Sequence, residues 1–417
     1  MSVDPQAPGA PCRICGTPLR HTFTDLGMSP PCESFLPAEA LNRMEPFYPL
    51  HARVCDSCFL VQLEEYVSPE AIFGEYAYFS SFSDSWLAHA KAYARQVVEL
   101  LGLGRDSLVV ELASNDGYLL QNFVAQGVPV LGIEPAANVA RAALAKGIPT
   151  LVKFFGRELA AELAAAGTRA DLVVANNVFA HVPDVRGFTA GMKALLKPRG
   201  IVTLEFPHLM RLMEGNQFDT IYHEHFSYFS FLTARRLLRD FGLAVFDVEE
   251  LPTHGGSLRV YARHEEDASR PVCARVHELA QREERAGFAR LETYRSFEEK
   301  VKETKRGILE FLIDARRRGK TVAGYGAPGK GNTLLNYCGI RTDFIDYVVD
   351  RNPYKHGRFL PGTHIPVFAP DRIRQTRPDY VFILPWNLRE EIRSQLAYIR
   401  DWGGRFVVPI PAIEVFD

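Results

Sequence analysis

Residues 107 to 117 read Ser107-Leu-Val-Val-Glu111-Leu-Ala-Ser-Asn-Asp-Gly117, an apolar run that meets an acid and then enters a tight turn of small residues. An unbroken apolar run of this length suits a strand covered on both faces. The same cadence recurs outward from it. Val128 to Glu134 reads as a second strand ending in an acid, with Pro135-Ala-Ala-Asn138 opening a helix. Ala170 to Asn177 and Gly200 to Phe206 read as two more strands, the last preceded by Leu-Leu-Lys-Pro-Arg-Gly200, and Ser83 to about Leu103 reads as a helix before the first. Such alternation predicts an α/β fold, a parallel sheet with helical crossovers and ligands above the carboxyl ends of its strands. The turn after the first strand lets backbone approach a ligand closely. Glu134, 17 residues beyond Gly117, stands where an acid accepts both hydroxyls of a ribose. Ala113, Asn115 and Gly117 alternate through the turn; Asn tolerates a left-handed backbone and Ala is small.

The 417 residues divide into two or three domains, each large enough to bury a core. A net charge of −2 provides no basic stripe for coating nucleic acid. The first residues, Met-Ser-Val-Asp-Pro-Gln-Ala-Pro, lack an apolar signal core, and no apolar run reaches the length of a membrane span. The expectation is a cytoplasmic protein without nucleic-acid or membrane partners, a monomer by default. Four of the seven cysteines form two Cys-x-x-Cys pairs, Cys12/Cys15 and Cys55/Cys58. In a reducing compartment such pairs predict thiolate–metal bonds, and four thiolates close a tetrahedral shell around a structural zinc. Residues 1–66 then form a loop-rich module too small to bury enough apolar surface without the metal. Cys32, between Pro-Pro and Glu-Ser, reads as a loop thiol outside that shell.

Residues 222 to 228 read Tyr-His-Glu-His-Phe-Ser-Tyr. Tyr222 and His225 would point to opposite faces of a strand but converge on a turn, which would bring imidazole and phenol together for proton transfer near neutral pH. The zinc-protease pattern His-Glu-x-x-His is excluded by Ser227. After a middle domain over 67–270, residues 274–318 are charged, amphipathic and free of proline, and predict a long helix leading into a C-terminal domain over 271–417. Thr321-Val-Ala-Gly324-Tyr-Gly326-Ala-Pro-Gly329-Lys-Gly331-Asn332 follows, with Asp350 about 20 residues later. Read directly, this is a dinucleotide fingerprint and predicts an NAD-dependent nucleotide-sugar oxidoreductase. It also mimics a P-loop, but Gly331 replaces the hydroxyl that would hold magnesium. Backbone N–H groups beside Lys330 suit any diphosphate.

The order of these features resembles class I S-adenosylmethionine-dependent methyltransferases, although Ala113 and Asn115 stand where that fold commonly has glycine. Asn176-Asn-Val-Phe-Ala-His181-Val-Pro-Asp184, Glu205-Phe-Pro-His208 and the segment Phe218-Asp-Thr-Ile-Tyr-His-Glu-His225-Phe-Ser-Tyr228 sharpen the match. With the four-cysteine module and the C-terminal domain, nearly the whole chain resembles the nucleotide-sugar C-methyltransferases, in particular those acting at C3 in antibiotic deoxysugar biosynthesis. The resemblance implies a zinc module, a Rossmann-like methyltransferase domain and a C-terminal Rossmann-like domain that helps bind the sugar nucleotide. It implies S-adenosylmethionine held by Glu111, Ala113, Asn115, Gly117, Glu134 and Asn177. The acceptor it implies is a dTDP-linked 3-amino-4-keto-deoxysugar, contacted by Tyr76, Tyr78, Gly326, Lys330, Asn332 and Arg351. Methylation at carbon needs a carbanion, which a neighbouring ketone stores as an enolate. His225 is then the expected base and Tyr222 the oxyanion donor or relay. Glu224 would orient His225 or hold the sugar amine, with His181 as alternative base or oxyanion partner.

Overall fold

The computed structural model describes residues 9–73 and 79–417. Strand Val109–Leu112 is buried at all four positions, as its unbroken apolar run requires. It lies inside a seven-stranded sheet ordered Leu243–Leu251, Ser257–His264, Leu196–Pro207, Ala170–Asn176, Val109–Leu112, Val130–Ile133 and Thr150–Leu151. Ser257–His264 alone is reversed relative to the other six strands. One reversed strand slotted beside the last parallel one is the sheet of the class I methyltransferases. Helix Asp84–Leu101 starts where the Ser83 hydroxyl accepts from Trp86 N–H and ends at left-handed Gly102. It buries Ala90, Tyr93, Ala94 and Val97, one face at helical spacing.

The N-terminal module contains more regular structure than its composition predicts. Strands His21–Ser29, Tyr48–Val54 and Val61–Gln62 form an antiparallel sheet, and its fourth strand, Ser227–Tyr228, comes from the middle of the chain. The C-terminal domain is a six-stranded sheet ordered Val367–Phe368, Val348–Val349, Val322–Tyr325, Tyr380–Ile383, Arg405–Val408 and Glu414–Phe416, parallel except for the last strand. This is the expected Rossmann-like arrangement. Among the described residues no helix is long and apolar enough to cross a membrane.

The long helix expected over 274–318 is instead three helices, Ala274–Arg285, Leu291–Arg295 and Phe297–Arg317. Gly287 breaks the run at φ +89°, a conformation that side-chain-bearing residues avoid. The break lets Phe288, Tyr294 and Phe297 turn inward. Phe297 stacks on Phe23 at 4.7 Å, and Tyr294 stacks on Phe59 at 5.7 Å. Phe23, Leu26 and Leu50 of the module share one core with Val301, Ile308 and Leu312 of the following helix. The module is therefore stabilised by apolar burial against the C-terminal helices, beyond whatever its four cysteines hold. Phe23→Ala opens a cavity in that shared core and is expected to cost about 3–5 kcal/mol. A chemical denaturation midpoint equal to that of the parent would contradict the shared core.

Candidate active site

The cofactor end begins at the turn after Val109–Leu112. Ala113, Asn115 and Gly117 have φ of +54°, +50° and +76°. The turn thus keeps a left-handed geometry at all three alternate positions, at about 1–2 kcal/mol for each non-glycine residue. Part of that cost is met by the acid at the next strand's end. Glu134 accepts from Asn115 N–H at 2.9 Å and from Ala136 N–H at 2.8 Å, and the Asn115 side chain accepts from Ser80 N–H at 2.9 Å. At the end of Ala170–Asn176, Asn177 is also left-handed, at φ +54°. Its side-chain amide, like Asn176 Oδ1, is buried and meets no hydrogen-bond partner among the described residues. Ala113, Asn115, Glu134, Asn176 and Asn177 all line one cleft of 1690 Å³. A carboxylate at a strand end and unspent amides beside it fit a cofactor carrying a ribose and polar substituents. Glu111 lies beneath the turn, 1% exposed, and Gly117 faces Ile148; neither lines the cleft. Burial, then Glu134 and Asp116, push the Glu111 carboxyl well above the usual carboxylate range.

At the opposite wall, Tyr222 to His225 form a reverse turn closed by His225 N–H to the Tyr222 carbonyl at 2.9 Å. The rings of Tyr222 and His225 lie 4.1 Å apart, and those of His181 and His225 lie 4.6 Å apart. His225 Nδ1 is 2.9 Å from the carbonyl of Thr220. A carbonyl can only accept, so Nδ1 carries the proton and Nε2 keeps its lone pair. Burial, then the His181 ring, hold His225 well below the ordinary imidazole value. Burial likewise brings His181 down to about 4, opposed by a hydrogen bond to the backbone of Glu224. Both imidazoles are therefore neutral at pH 7, each oriented by a carbonyl near the same turn. The orientation of His225 anticipated from Glu224 is provided by Thr220. That partner has no side-chain signature in the sequence. The Glu224 carboxyl itself is raised to about 8 by burial and then by Glu33, and it accepts from the buried Cys32 thiol at 3.8 Å. Tyr76 and Tyr78 lie outside the described residues.

The C-terminal domain brings only part of its glycine loop to the cleft. Gly326 donates its N–H to Val349 O at 2.7 Å, and Asn332 donates to Cys32 O at 2.6 Å; neither lines the cleft. A Cβ on Gly329 would lie 2.8 Å from Cys32 Sγ and 3.4 Å from Glu33 Oε1, and Glu33 accepts from the Gly329 N–H. The loop from the N-terminal module thus stands where a dinucleotide's pyrophosphate would meet the helix Gly329–Cys338. Asp350, the candidate ribose acid, accepts from Ala327 N–H at 2.7 Å and Asn352 N–H at 2.8 Å. The Asp350 contacts match those of Glu134; it is the Cys32–Glu33 loop against Gly329 that counts against a nicotinamide cofactor. Arg351 faces away from the cleft, 3.5 Å from Glu391. Lys330 does face the cleft, above Trp386 at 4.4 Å, and burial lowers it to about 8. Four cationic side chains line the cleft among the described residues: Lys153, Lys330, Lys355 and Arg358. Lys153 pairs with Glu162 at 3.0 Å and Lys355 with Glu33 at 3.6 Å. Arg358 was not singled out from sequence, because only the loop geometry distinguishes it from Arg351.

The ligand sulfurs of Cys12, Cys15, Cys55 and Cys58 all lie within 4.8 Å of one another. The two pairs are parallel knuckles. Gly16 N–H returns to Cys12 O at 2.9 Å and Phe59 N–H to Cys55 O at 3.0 Å, with Gly16 and Phe59 both left-handed. Ser57 N–H and the Gln62 amide donate to Cys55 Sγ and Cys12 Sγ at 3.4 and 3.2 Å. Four thiol donors with N–H groups aimed at two of them fit a zinc ion and leave no open ligand position. Cys55→Ala removes one ligand. Elemental analysis is expected to find less than one zinc per chain together with a lower unfolding temperature; full zinc retention would contradict the four-thiolate shell.

The comparisons with known proteins follow this division. A zinc binding domain model matches residues 12–73, a methyltransferase domain model residues 86–248, and a C-methyltransferase C-terminal domain model residues 252–411. The chain is 38% identical to C-methyltransferase NovU of Streptomyces niveus over 97% of its own length and 96% of that protein. A ubiquinone biosynthesis O-methyltransferase of Rhodopseudomonas palustris is 29% identical over 23% of this chain and 38% of that one. Among solved structures, magnesium protoporphyrin IX methyltransferase of Synechocystis with bound S-adenosylmethionine is 17% identical, covering 46% of this chain and 88% of that one at a TM-score of 0.32. With all three models matched in order and a relative aligned end to end, the chain belongs to the zinc-binding, S-adenosylmethionine-dependent C-methyltransferase family.

Proposed function

We propose that this C-methyltransferase carries a methyl group to C3 of a dTDP-linked 3-amino-4-keto-deoxysugar through an enolate, in antibiotic deoxysugar biosynthesis. The observation that carries the reading is His225: its Nδ1 proton is committed to Thr220 O, its ring is neutral, and its Nε2 is the nitrogen left to act. A neutral imidazole beside a phenol is the equipment for taking a proton from a carbon next to a ketone. His225 Nε2 removes the C3 proton. The pair from that C–H bond becomes the C3–C4 double bond, and the C4 carbonyl pair moves onto oxygen. Tyr222 donates its hydroxyl proton as a hydrogen bond to that oxygen, with His181 as the alternative partner. When bound, S-adenosylmethionine supplies an electrophilic methyl carbon, and its sulfur keeps the bonding pair as the new carbon–carbon bond forms. Glu134 would hold the ribose, and Asn177 the polar groups near the sulfonium. Glu224, raised to about 8 by burial, donates to a neutral sugar substituent, whereas an ammonium at C3 would favour the ionised carboxylate, which then accepts from that ammonium.

The sugar nucleotide's far end is assigned to the C-terminal rim. Tyr354 is 73% exposed and lines the cleft; Arg358 and Lys330 are its two cations outside a salt bridge among the described residues, although Lys330 donates to Asn387 and feels the charge of Asp219. These support a base platform and a diphosphate grip.

Incubation with S-adenosylmethionine and the keto-sugar nucleotide is expected to release S-adenosylhomocysteine and add one methyl mass to the sugar; nicotinamide-dependent absorbance change without methyl gain would overturn the reading. His225→Asn is expected to lower kcat by about 10²–10⁴-fold. In the parent enzyme, kcat/KM falls on the acid side as His225 is protonated. Because its folded value lies below the ordinary 6.5, activity is retained on acidification through that pH. An acid limb at or above the ordinary imidazole value would contradict a buried neutral base.

A further inference from the structure

The first zinc knuckle carries Arg13 between ligands Cys12 and Cys15. Its side chain leaves the metal shell and crosses the strand Val61–Gln62 toward the turn that bears His225. Arg13 Nη1 donates to Leu63 O, and also to Phe226 O at 3.4 Å. Its guanidinium carbon sits 5.3 Å above the Phe226 ring. Phe226 follows His225 directly. Leu63 N–H donates to the same Phe226 carbonyl at 3.0 Å, and Phe226 N–H donates to Ala180 O at 2.8 Å, the residue before His181. Phe226 is 1% exposed and its backbone is fixed on both sides.

The other end of Arg13 is fixed just as firmly. Its backbone N–H donates to Gln62 Oε1 at 3.0 Å, while the Gln62 Nε2 donates to Cys12 Sγ at 3.2 Å. Val61 and Gln62 pair with Tyr228 and Ser227, so the strand between metal and turn also continues the catalytic segment's own ladder. The second knuckle is docked in the same way. Thr233 Oγ1 donates to Cys58 O at 3.0 Å, and Arg236 donates to Ser57 O at 2.7 Å. Arg186, from the methyltransferase domain, donates to Ile14 O at 2.6 Å. An arginine used only to solvate a surface knuckle would not share its Nη1 between the carbonyl of Phe226, next to the proposed base, and that of Leu63, whose N–H donates to the same Phe226 carbonyl.

From this continuous path we infer that Arg13 is a positioning residue, holding the Phe226 carbonyl and through it the His225 ring in register with the cofactor end. The zinc shell then acts at a distance from the chemistry, by fixing the origin of that arm. Reactions of this kind tolerate little error in geometry, since a shift of about 1 Å can cost about 100-fold in rate. The inference rests on the assignment of His225 as the base.

The test compares zinc-loaded full-length parent with Arg13→Ala and Arg13→Lys. For Arg13→Ala, zinc content, S-adenosylhomocysteine affinity and KM for S-adenosylmethionine are expected to stay at parent values. Its kcat is expected to fall by about 10–100-fold, and backbone amides of 222–228 to exchange faster with deuterium while those of 109–117 do not. Lysine, which keeps the charge and one donor direction, is expected to recover part of kcat. Parent-like kcat with parent-like protection at 222–228 would overturn the inference, as would equal loss of protection in both segments. Should Arg13→Ala lose its zinc, Arg13→Met, which keeps the stem over Phe226, carries the same expectations and the same overturning results. Failure of the parent to methylate any keto-sugar nucleotide would instead remove the substrate reading, and the exchange comparison alone would then decide the role of Arg13.

Discussion

The hydrogen bond from His225 Nδ1 to the Thr220 carbonyl fixes the tautomer, and the tautomer fixes which nitrogen can act. Thr220 closes the short helical turn Phe218–Thr220, just ahead of the reverse turn at 222–225, so donor and acceptor belong to one compact loop. Burial on every side keeps the ring uncharged, and the neighbouring His181 adds repulsion against protonation. A charged imidazole here would lack a carboxylate partner. Glu224, the nearest acid in sequence, is itself driven toward the neutral form by burial and by Glu33. The turn around His225 thus presents neutral donors and acceptors, while the charges of the cleft sit on Lys153, Lys330, Lys355 and Arg358 and their acidic partners.

Three structural units converge on that loop, each with a different kind of attachment. The methyltransferase sheet delivers His181 and Asn177 at the end of a parallel strand. The zinc module pairs its Val61–Gln62 strand with Ser227–Tyr228. The C-terminal domain meets it through Thr333, whose hydroxyl donates to Ile221 O at 3.1 Å, and through Trp386, whose indole donates to Asp219 at 2.7 Å. The glycines of the C-terminal fingerprint take on a structural sense in this setting. Gly329 lets the Cys32–Glu33 loop approach the start of helix Gly329–Cys338, and Asn332 ties the same loop down. A dinucleotide-type loop has become a joint between domains.

What could be read from the chain alone was what short-range patterning encodes. The buried strand at 109–112, the acid at 134, the paired cysteines and the turn at 222–225 are each specified within a few residues, and each is found. The positive φ at Ala113 and Asn115 shows that turn geometry outlasts the loss of the glycines that usually signal it. The helical pattern over 274–318 misled because amphipathic spacing resumes after the interruption; Gly287 was the one local sign of a break. Longer-range features had no such sign. The approach of Glu33 to Gly329, of Asn332 to Cys32 and of Arg13 to Phe226 joins residues some 200 to 300 positions apart, and nothing in the local sequence of either partner announces the other. Backbone acceptors such as Thr220 O are invisible to any reading based on side-chain type.

Solvent deuterium exchange into the dTDP-linked 3-amino-4-keto-deoxysugar, with S-adenosylhomocysteine bound in place of the methyl donor, isolates the proton-transfer step from methyl transfer. The account predicts deuterium at C3, abolished when His225 and His181 are both replaced by asparagine. Deuterium at C5 alone, or exchange at C3 that survives the loss of both histidines, would contradict it.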